Sequence, residues 1–190
     1  MHRHRADRRF RKPVLNTENG YEYLRGHPTE KKQVHHTDKV RRSAWRIVCA
    51  GGYFAASFHG TIGHSDAWNR LDAPNRYTFT VQDEGAARQM GALYGFFSAL
   101  PFWRMQPFDG VTGEAAVALA EPGKVYVVYL PHGGNVTVNS RAAKGFLTGH
   151  WFTPRDGRAS ESFTVAGGKP EQFQAPDALD WALHLTVRTE

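Results

Sequence analysis

"TDKVRRSAWRIVCAGGYFAASFHGTIG", residues 37–63, changes its periodicity once, at a pair of glycines. Val40, Ala44, Ile47 and Val48 recur at helical spacing over residues 37–50, Thr37 or Asp38 can cap the start, and Gly51-Gly52 end the run. Residues 53–63 then read as a buried strand entering a glycine-rich loop. Upstream, "KPVLNTENGYEY" (residues 12–23) reads as a short apolar strand, Val14 and Leu15 behind Pro13, that stops at Asn16, Thr17 and Glu18 before an Asn-Gly turn. Downstream, residues 83–100 align Ala86, Met90, Leu93, Tyr94, Phe97 and Leu100, with Asp83 and Glu84 at the positive end and Pro101 as the stop. Gly91 and Gly95, four apart, would let this helix approach a neighbour closely. Strand, helix, strand, helix is the rhythm of a parallel sheet.

After Gly110 the rhythm changes. "EAAVALA", "KVYVVYL", "NVTVNS", "GHWFTP", "ESFTV" and "WALHLTV" are short strand candidates separated by Pro-Gly, Gly-Gly and Asp-Gly turns. They argue for an antiparallel β-sandwich of roughly 80 residues. Val125, Val127 and Tyr129 alternate with Tyr126, Val128 and Leu130, so both faces of that strand are apolar, as expected inside a sandwich. Trp151 and Trp181 are expected in the core, and Arg155, in the turn "TPRDGR", is expected in solvent by default, contact with the barrel or a ligand being the alternative. Phe102, Trp103 and Phe108, around Pro101 and Pro107, are expected to weld the two parts together near residues 107–110. The expected fold class is α/β plus all-β.

The 190 residues carry a formal net charge of +6 and 41% hydrophobic residues, the balance of a folded globular chain. Much of the positive excess sits in residues 1–12, "MHRHRADRRFRK", read as a basic, disordered arm. With no aromatic interleaving beyond Phe10 and no basic stripe elsewhere, nucleic acid is not an expected partner. One cysteine, Cys49, excludes an intrachain disulfide and reads as a buried, inert thiol. No stretch of 18 apolar residues could span a membrane, and none follows the basic arm as in a secretory signal; the compartment stays open. His35-His36 lack a third ligand at zinc-like spacing, so no metal or other cofactor is expected. "GGYFAASFHG" lacks the order of a dinucleotide site. Asp180 and His184 fall in an alternating strand pattern with no Ser-His-Asp logic.

Two βα units cannot close a sheet, because open parallel strands need covered faces and paired edges and a full barrel takes eight units in ~250 residues. In such barrels the C-terminal ends of strands carry the chemistry. Glu18 stands at one such end, and His59 at, or just past, the other. "KPVLNTENGYE", "RRSAWRIVCAGGYFAASFHG" and "FFSALPFWRMQPFDG" resemble the tail of an apiosidase-like glycoside hydrolase, a (β/α)8 barrel followed by a small β-sandwich. "VYVVYLPHGGNVTV", "GHWFTPRDG" and "FQAPDALDWALHL" resemble that sandwich, which carries the label of a collagen-binding domain.

The resemblance implies that residues 13–109 are the last two βα units of a (β/α)8 barrel and residues 110–190 the antiparallel sandwich. It implies that Glu18, matching N-x-E-x-x-Y-E, is the nucleophile of a retaining glycosidase. That chemistry needs a second carboxyl ~5–5.5 Å away for retention, or ~6.5–9.5 Å for inversion. The resemblance puts this acid/base on the fourth barrel strand, which these residues lack, so the chain alone is expected to be inactive. Tyr21 either steadies the Glu18 carboxylate or simply packs, and Glu22 reads as a surface or outer acid. His59, His64 and Trp68 are the other candidate sugar contacts. The expected partners are an oligo- or polysaccharide and a missing N-terminal barrel half. The alternative is a non-catalytic carbohydrate- or collagen-binding module. An exposed aromatic row would favour it, and Tyr126 and Tyr129, on opposite faces, do not form one.

Overall fold

The computed structural model describes residues 13–17, 21–22, 37–55, 57–58 and 85–188. The basic arm of residues 1–12 lies outside them. Two parallel strand pairs open the chain: β1 (Leu15–Asn16) with β3 (Tyr53–Phe54), and β2 (Tyr21–Glu22) with β4 (Ser57–Phe58). Of the strand-and-loop stretch expected over residues 53–63, the described residues form two dipeptide strands, each meeting a different partner.

Helix α1 (Thr37–Cys49) ends where the glycines predict. Gly51 takes a left-handed φ of 75°, its N–H donating to the Val48 carbonyl at 2.7 Å, and the Gly52 N–H donates to that of Ile47 at 2.9 Å. This double bond pattern closes the helix without a Cβ penalty. It also aims the chain at β1, where the Tyr53 N–H meets the Val14 carbonyl at 2.8 Å. Helix α2 (Gly85–Ser98) follows; Asp83 and Glu84 lie outside the described residues.

A 3-10 turn (Phe102–Arg104) leads into nine antiparallel strands: β5 (Gln106–Pro107), β6 (Val111–Gly113), β7 (Val117–Glu121), β8 (Val125–Leu130), β9 (Asn135–Asn139), β10 (Phe146–Phe152), β11 (Phe163–Ala166), β12 (Pro170–Gln174) and β13 (Trp181–Val187). They form a six-stranded sheet in the order β11-β10-β13-β8-β7-β5 and a three-stranded sheet in the order β12-β9-β6.

The large sheet is buried on both faces. Tyr126, Val128 and Leu130 of β8, with Leu147, Leu183 and Leu185, pack on Val136 and Val138 of the small sheet. The opposite face, carrying Val125, Val127 and Tyr129, meets the two helices instead of a second sheet. The doubly apolar strand is therefore explained by a three-layer packing, sheet on sheet on helices.

Trp45 of α1 is the centre of the helix layer. It is fully buried, its ring stacked on Tyr129 of β8 at 5.5 Å and tilted against Phe96 and Phe97 of α2 and Phe152 of β10 at 5.2, 5.4 and 5.8 Å. One side chain thus joins three elements distant in sequence. Replacing it by alanine should cost about 3–5 kcal/mol of unfolding free energy, read from the urea midpoint, with helices and sandwich losing stability in one transition.

Trp151 is buried as expected, and Trp181 is partly buried. Of the junction aromatics, Phe102 packs against the helix-side core and Phe108 against the sandwich core. Trp103 departs from expectation, since it is 75% exposed. Successive side chains of a 3-10 turn diverge by a third of a turn. Phe102 takes the inward position against Phe97 and Tyr53, which leaves Trp103 outside.

Candidate functional site

Among the described residues, polar chemistry gathers at the ends of the parallel strands and in a buried ion cluster under the sandwich. At the strand ends, Leu15 lies opposite Tyr53 and Asn16 opposite Phe54, with the Ala55 N–H donating to the Asn16 carbonyl at 2.9 Å. The parallel pair therefore reaches its C-terminal rim at Asn16 and Ala55, two residues before position 18. Glu18, His59, His64 and Trp68 themselves lie outside the described residues. Tyr21 begins β2, its backbone paired opposite Ser57.

The ion cluster was not foreseen from the sequence. Arg41 of α1 is buried among apolar side chains, and its guanidinium grips both carboxylate oxygens of Asp180, Nε to Oδ2 at 2.8 Å and Nη2 to Oδ1 at 2.9 Å. Its Nη1 donates to Asp38 at 2.6 Å and to Gln89 of α2 at 3.0 Å. The Tyr129 hydroxyl of β8 donates to Asp180 Oδ2 at 3.1 Å. Arg155 donates to the Asp180 carbonyl at 2.6 Å, approaches Oδ1 at 3.3 Å and lies 4.9 Å over the Trp181 ring. Arg155 thus leaves the solvent position expected of a turn residue, because the carboxylate beside it has no access to water.

Burial alone would raise the Asp180 pKa; the hydrogen bonds and charge of Arg41, with the charge of Arg155 and the Tyr129 hydroxyl, hold it below the usual carboxylate range. The same burial, reinforced by the Asp180 charge, pushes the Tyr129 phenol well above its ordinary value. Both Asp180 oxygens are engaged and neither meets solvent, so this carboxylate has no lone pair for a substrate proton. Its chemistry is a clamp: a bidentate pair with its remaining partners satisfied. A signal for it was present, since Arg41 shares a helical face with Ala44, Trp45 and Val48, where a charge demands a buried counter-ion.

A second polar pair sits farther along the helix-facing side of the large sheet. His150 of β10 and His184 of β13 are register partners, their rings edge to face at 4.8 Å, with Phe96 of α2 5.8 Å from His184. Burial, then the neighbouring His150, pushes His184 down to about 4, and burial lowers His150 as well. The unfolded chain binds protons at an ordinary histidine pKa near 6.5, so it gains protons before the folded one as pH falls. Stability is therefore complete above about pH 6.5 and declines toward pH 4, by roughly 2–3 kcal/mol from His184. Below the ordinary carboxylate pKa near 4, the contribution of Asp180 begins to go as well. Urea midpoints between pH 7.5 and 4.5 check this, and His184→Gln should flatten the slope.

Among the described residues no three His, Cys, Asp or Glu side chains gather as a metal site, and no helix is long and apolar enough to cross a membrane. Cys49 is free and buried, its thiol pKa raised by that burial.

Comparison with known proteins fits this arrangement. Residues 1–104 match the family described as apiosidase-like, catalytic domain, and residues 110–186 match the "putative collagen-binding domain of a collagenase". A search of curated proteins gives no match. Among solved structures, the chain is similar to a protein titled glycoside hydrolase, with a TM-score of 0.76 at 20% identity over 94% of this chain. It is similar also to a glycoside hydrolase family 5 protein from Bacteroides vulgatus ATCC 8482, with a TM-score of 0.72 at 20% identity over 93% of this chain. At that identity the likeness shows the fold. The chain spans 43% and 42% of those two proteins, less than half of each. With more than half of its residues inside the catalytic-domain match, the chain belongs to the apiosidase-like glycoside hydrolase family, and it joins catalytic-domain elements to a β-sandwich.

Proposed function

We propose that this chain is the C-terminal portion of a retaining glycoside hydrolase. Residues 13–109 are its last two βα units, and residues 110–190 are a sandwich that braces them. Glu18 is the nucleophile, and Tyr21, His59, His64 and Trp68 line the pocket for an oligo- or polysaccharide. The observation that carries the reading is the parallel pairing of β1 with β3, which ends at Asn16, two residues before the acid, within the catalytic-domain match. The acid/base belongs to a strand outside these 190 residues. Without it the protonation of the leaving group, worth typically ~10²–10⁴-fold, is missing, and the polypeptide alone does not turn over.

The bracing role of the sandwich rests on the face of its large sheet turned away from the small sheet. That face is filled by α1 and α2, and its one buried carboxylate is spent on Arg41. A free-standing carbohydrate- or collagen-binding module would keep this face for its own core or for a ligand. Among the exposed large apolar side chains of the sandwich, Phe146 and Leu179 form no aromatic row. The test is hydrolysis of aryl glycosides by this chain alone and after completion with the preceding barrel units. Turnover by the 190-residue polypeptide alone that Glu18→Gln removes would contradict the division of the acid pair.

A further inference from the structure

One end of the sandwich gathers positive charge that the sequence scatters over four segments. Their backbones are tied to one another there. The Val187 N–H donates to the Lys124 carbonyl at 2.8 Å, Gly168 to Ser140 at 3.1 Å, Gly167 to Gly145 at 2.8 Å and Arg188 to Phe146 at 3.0 Å. The Ser140 hydroxyl donates to the Lys169 carbonyl at 2.7 Å. Gly123 lets its turn close on the neighbouring one, since a Cβ there would stand 2.8 Å from the Ala142 carbonyl oxygen. Lys124, Arg141, Lys144, Lys169 and Arg188 all reach the surface at this end, and all are exposed.

The acids beside them do not balance them. Glu121 is held by Arg104 and by Lys124 at 2.7 Å, and Glu171 by Lys169 at 3.2 Å. Asp109 stands at the same end, next to the bond from the Asn139 N–H to the Gly110 carbonyl. Among the described residues no acid pairs with Arg141, Lys144 or Arg188.

Arg188 is more than a loose surface charge. Its Nε donates to the Thr148 hydroxyl at 2.9 Å and its Nη2 to the Thr164 hydroxyl at 2.7 Å. Those threonines are register partners on β10 and β11, so two strands fix the guanidinium plane. Two of its five N–H donors are used and three stay free. A fixed fork with free donors suits the paired oxygens of a carboxylate or sulfate. Phe146, 58% exposed, lies two residues before Thr148 on β10 and so on the same face. It offers an apolar ring for the C–H face of a sugar, beside the group that would hold the sugar's acid.

We propose that this end of the sandwich binds an acidic polysaccharide, with Arg188 as the anchor and Lys124, Arg141 and Lys144 meeting further negative groups along the polymer. The choice of a polysaccharide rests on reading the chain as part of a glycoside hydrolase. A nucleic acid would meet the same charges, but among the described residues this end has one exposed aromatic ring, not the successive stacking faces that single strands use. Phe146, Thr164 and Arg188 stay exposed although the same sheet carries the helices, so bracing and binding use different areas.

Titration calorimetry of the whole chain with polygalacturonate, dextran sulfate and neutral dextran tests this. Binding to one or both acidic polymers, weakening as salt rises, and none to dextran is expected. Arg188→Gln should weaken it by about tenfold, and Arg188→Lys, which keeps the charge but loses the fork, by several-fold. Arg141→Glu with Lys144→Glu should also cost about tenfold, while the thermal midpoint stays in place because both side chains are exposed. The basic arm is the rival source of affinity, so Arg8→Glu with Arg9→Glu, an equal change of charge, should weaken binding by no more than about twofold. No binding to either acidic polymer, an equal loss from the arm variant, Arg188→Gln binding like the parent, or tighter binding to a single-stranded oligonucleotide would each overturn the proposal. Glu18→Gln should bind as the parent does, so failure of the catalytic reading and failure of this one are seen separately.

Discussion

Arg41→Met should destabilise the chain by about 3–5 kcal/mol, seen as a fall in the urea midpoint at unchanged slope. Arg41 supplies two of the hydrogen bonds to a carboxylate that has no exposure to solvent. Methionine approximates its volume and keeps the apolar stem in place, so the loss reports the charge and not a cavity. Asp180 is then left with Tyr129 and Arg155, and the downward pull on its pKa weakens while burial keeps pushing upward. The sign of the linkage follows: the variant should recover part of the difference as pH falls toward 4, because a neutral Asp180 no longer needs the guanidinium. Arg41→Met combined with Asp180→Leu should cost less than Arg41→Met alone, since replacing both members of a buried pair removes the uncompensated charge. A double variant as unstable as the sum of the singles would show that the pair is not coupled.

The second large effect concerns Glu18→Gln. In a completed barrel this change should lower turnover of an aryl glycoside by on the order of 10⁴-fold or more, the scale seen when a covalent nucleophile or its essential partner is lost. The amide keeps the shape and the hydrogen-bonding reach but cannot attack the anomeric carbon. The loss should fall on kcat, with sugar affinity nearly unchanged. Tyr21→Phe in the same protein should show a smaller loss, because a hydroxyl that steadies the carboxylate acts through it. Equal activity of Glu18→Gln and the parent would remove the nucleophile assignment outright.

Local chemistry made much of this architecture legible in the sequence. Gly51-Gly52 ended α1 because a left-handed residue is needed there and glycine takes it freely. The alternation of β8 told that both its faces are buried, but not by what. A sandwich partner and a helix pair present the same apolar demand, and only the tertiary structure assigns Tyr129 to the helices. The Arg41–Asp180 pair joins residues 139 apart, with no periodicity to connect them. Its trace was one charge on an otherwise apolar helical stripe. Arg155 was assigned to solvent because turns are wet by default, and a buried carboxylate drew it back. Trp103 was placed inside because aromatic clusters at junctions are usually covered, and the divergence of side chains in a 3-10 turn left it outside. The catalytic rim was read from motif and strand end alone, and of its residues Tyr21 is described, through its backbone.

The claim that ties these observations together is that the sandwich and the two helices share one core, so that the sandwich is a brace and not an appended module. Residues 110–190 produced alone measure this most directly, compared with the whole chain by thermal unfolding and amide-proton dispersion. Stripped of α1 and α2, the sheet would expose Val125, Val127, Tyr129 and Ala182 and leave Asp180 without the bidentate Arg41 guanidinium. The brace predicts aggregation or a poorly dispersed, non-cooperative state for the isolated segment. A soluble, well-dispersed domain unfolding at the midpoint of the whole chain would contradict it.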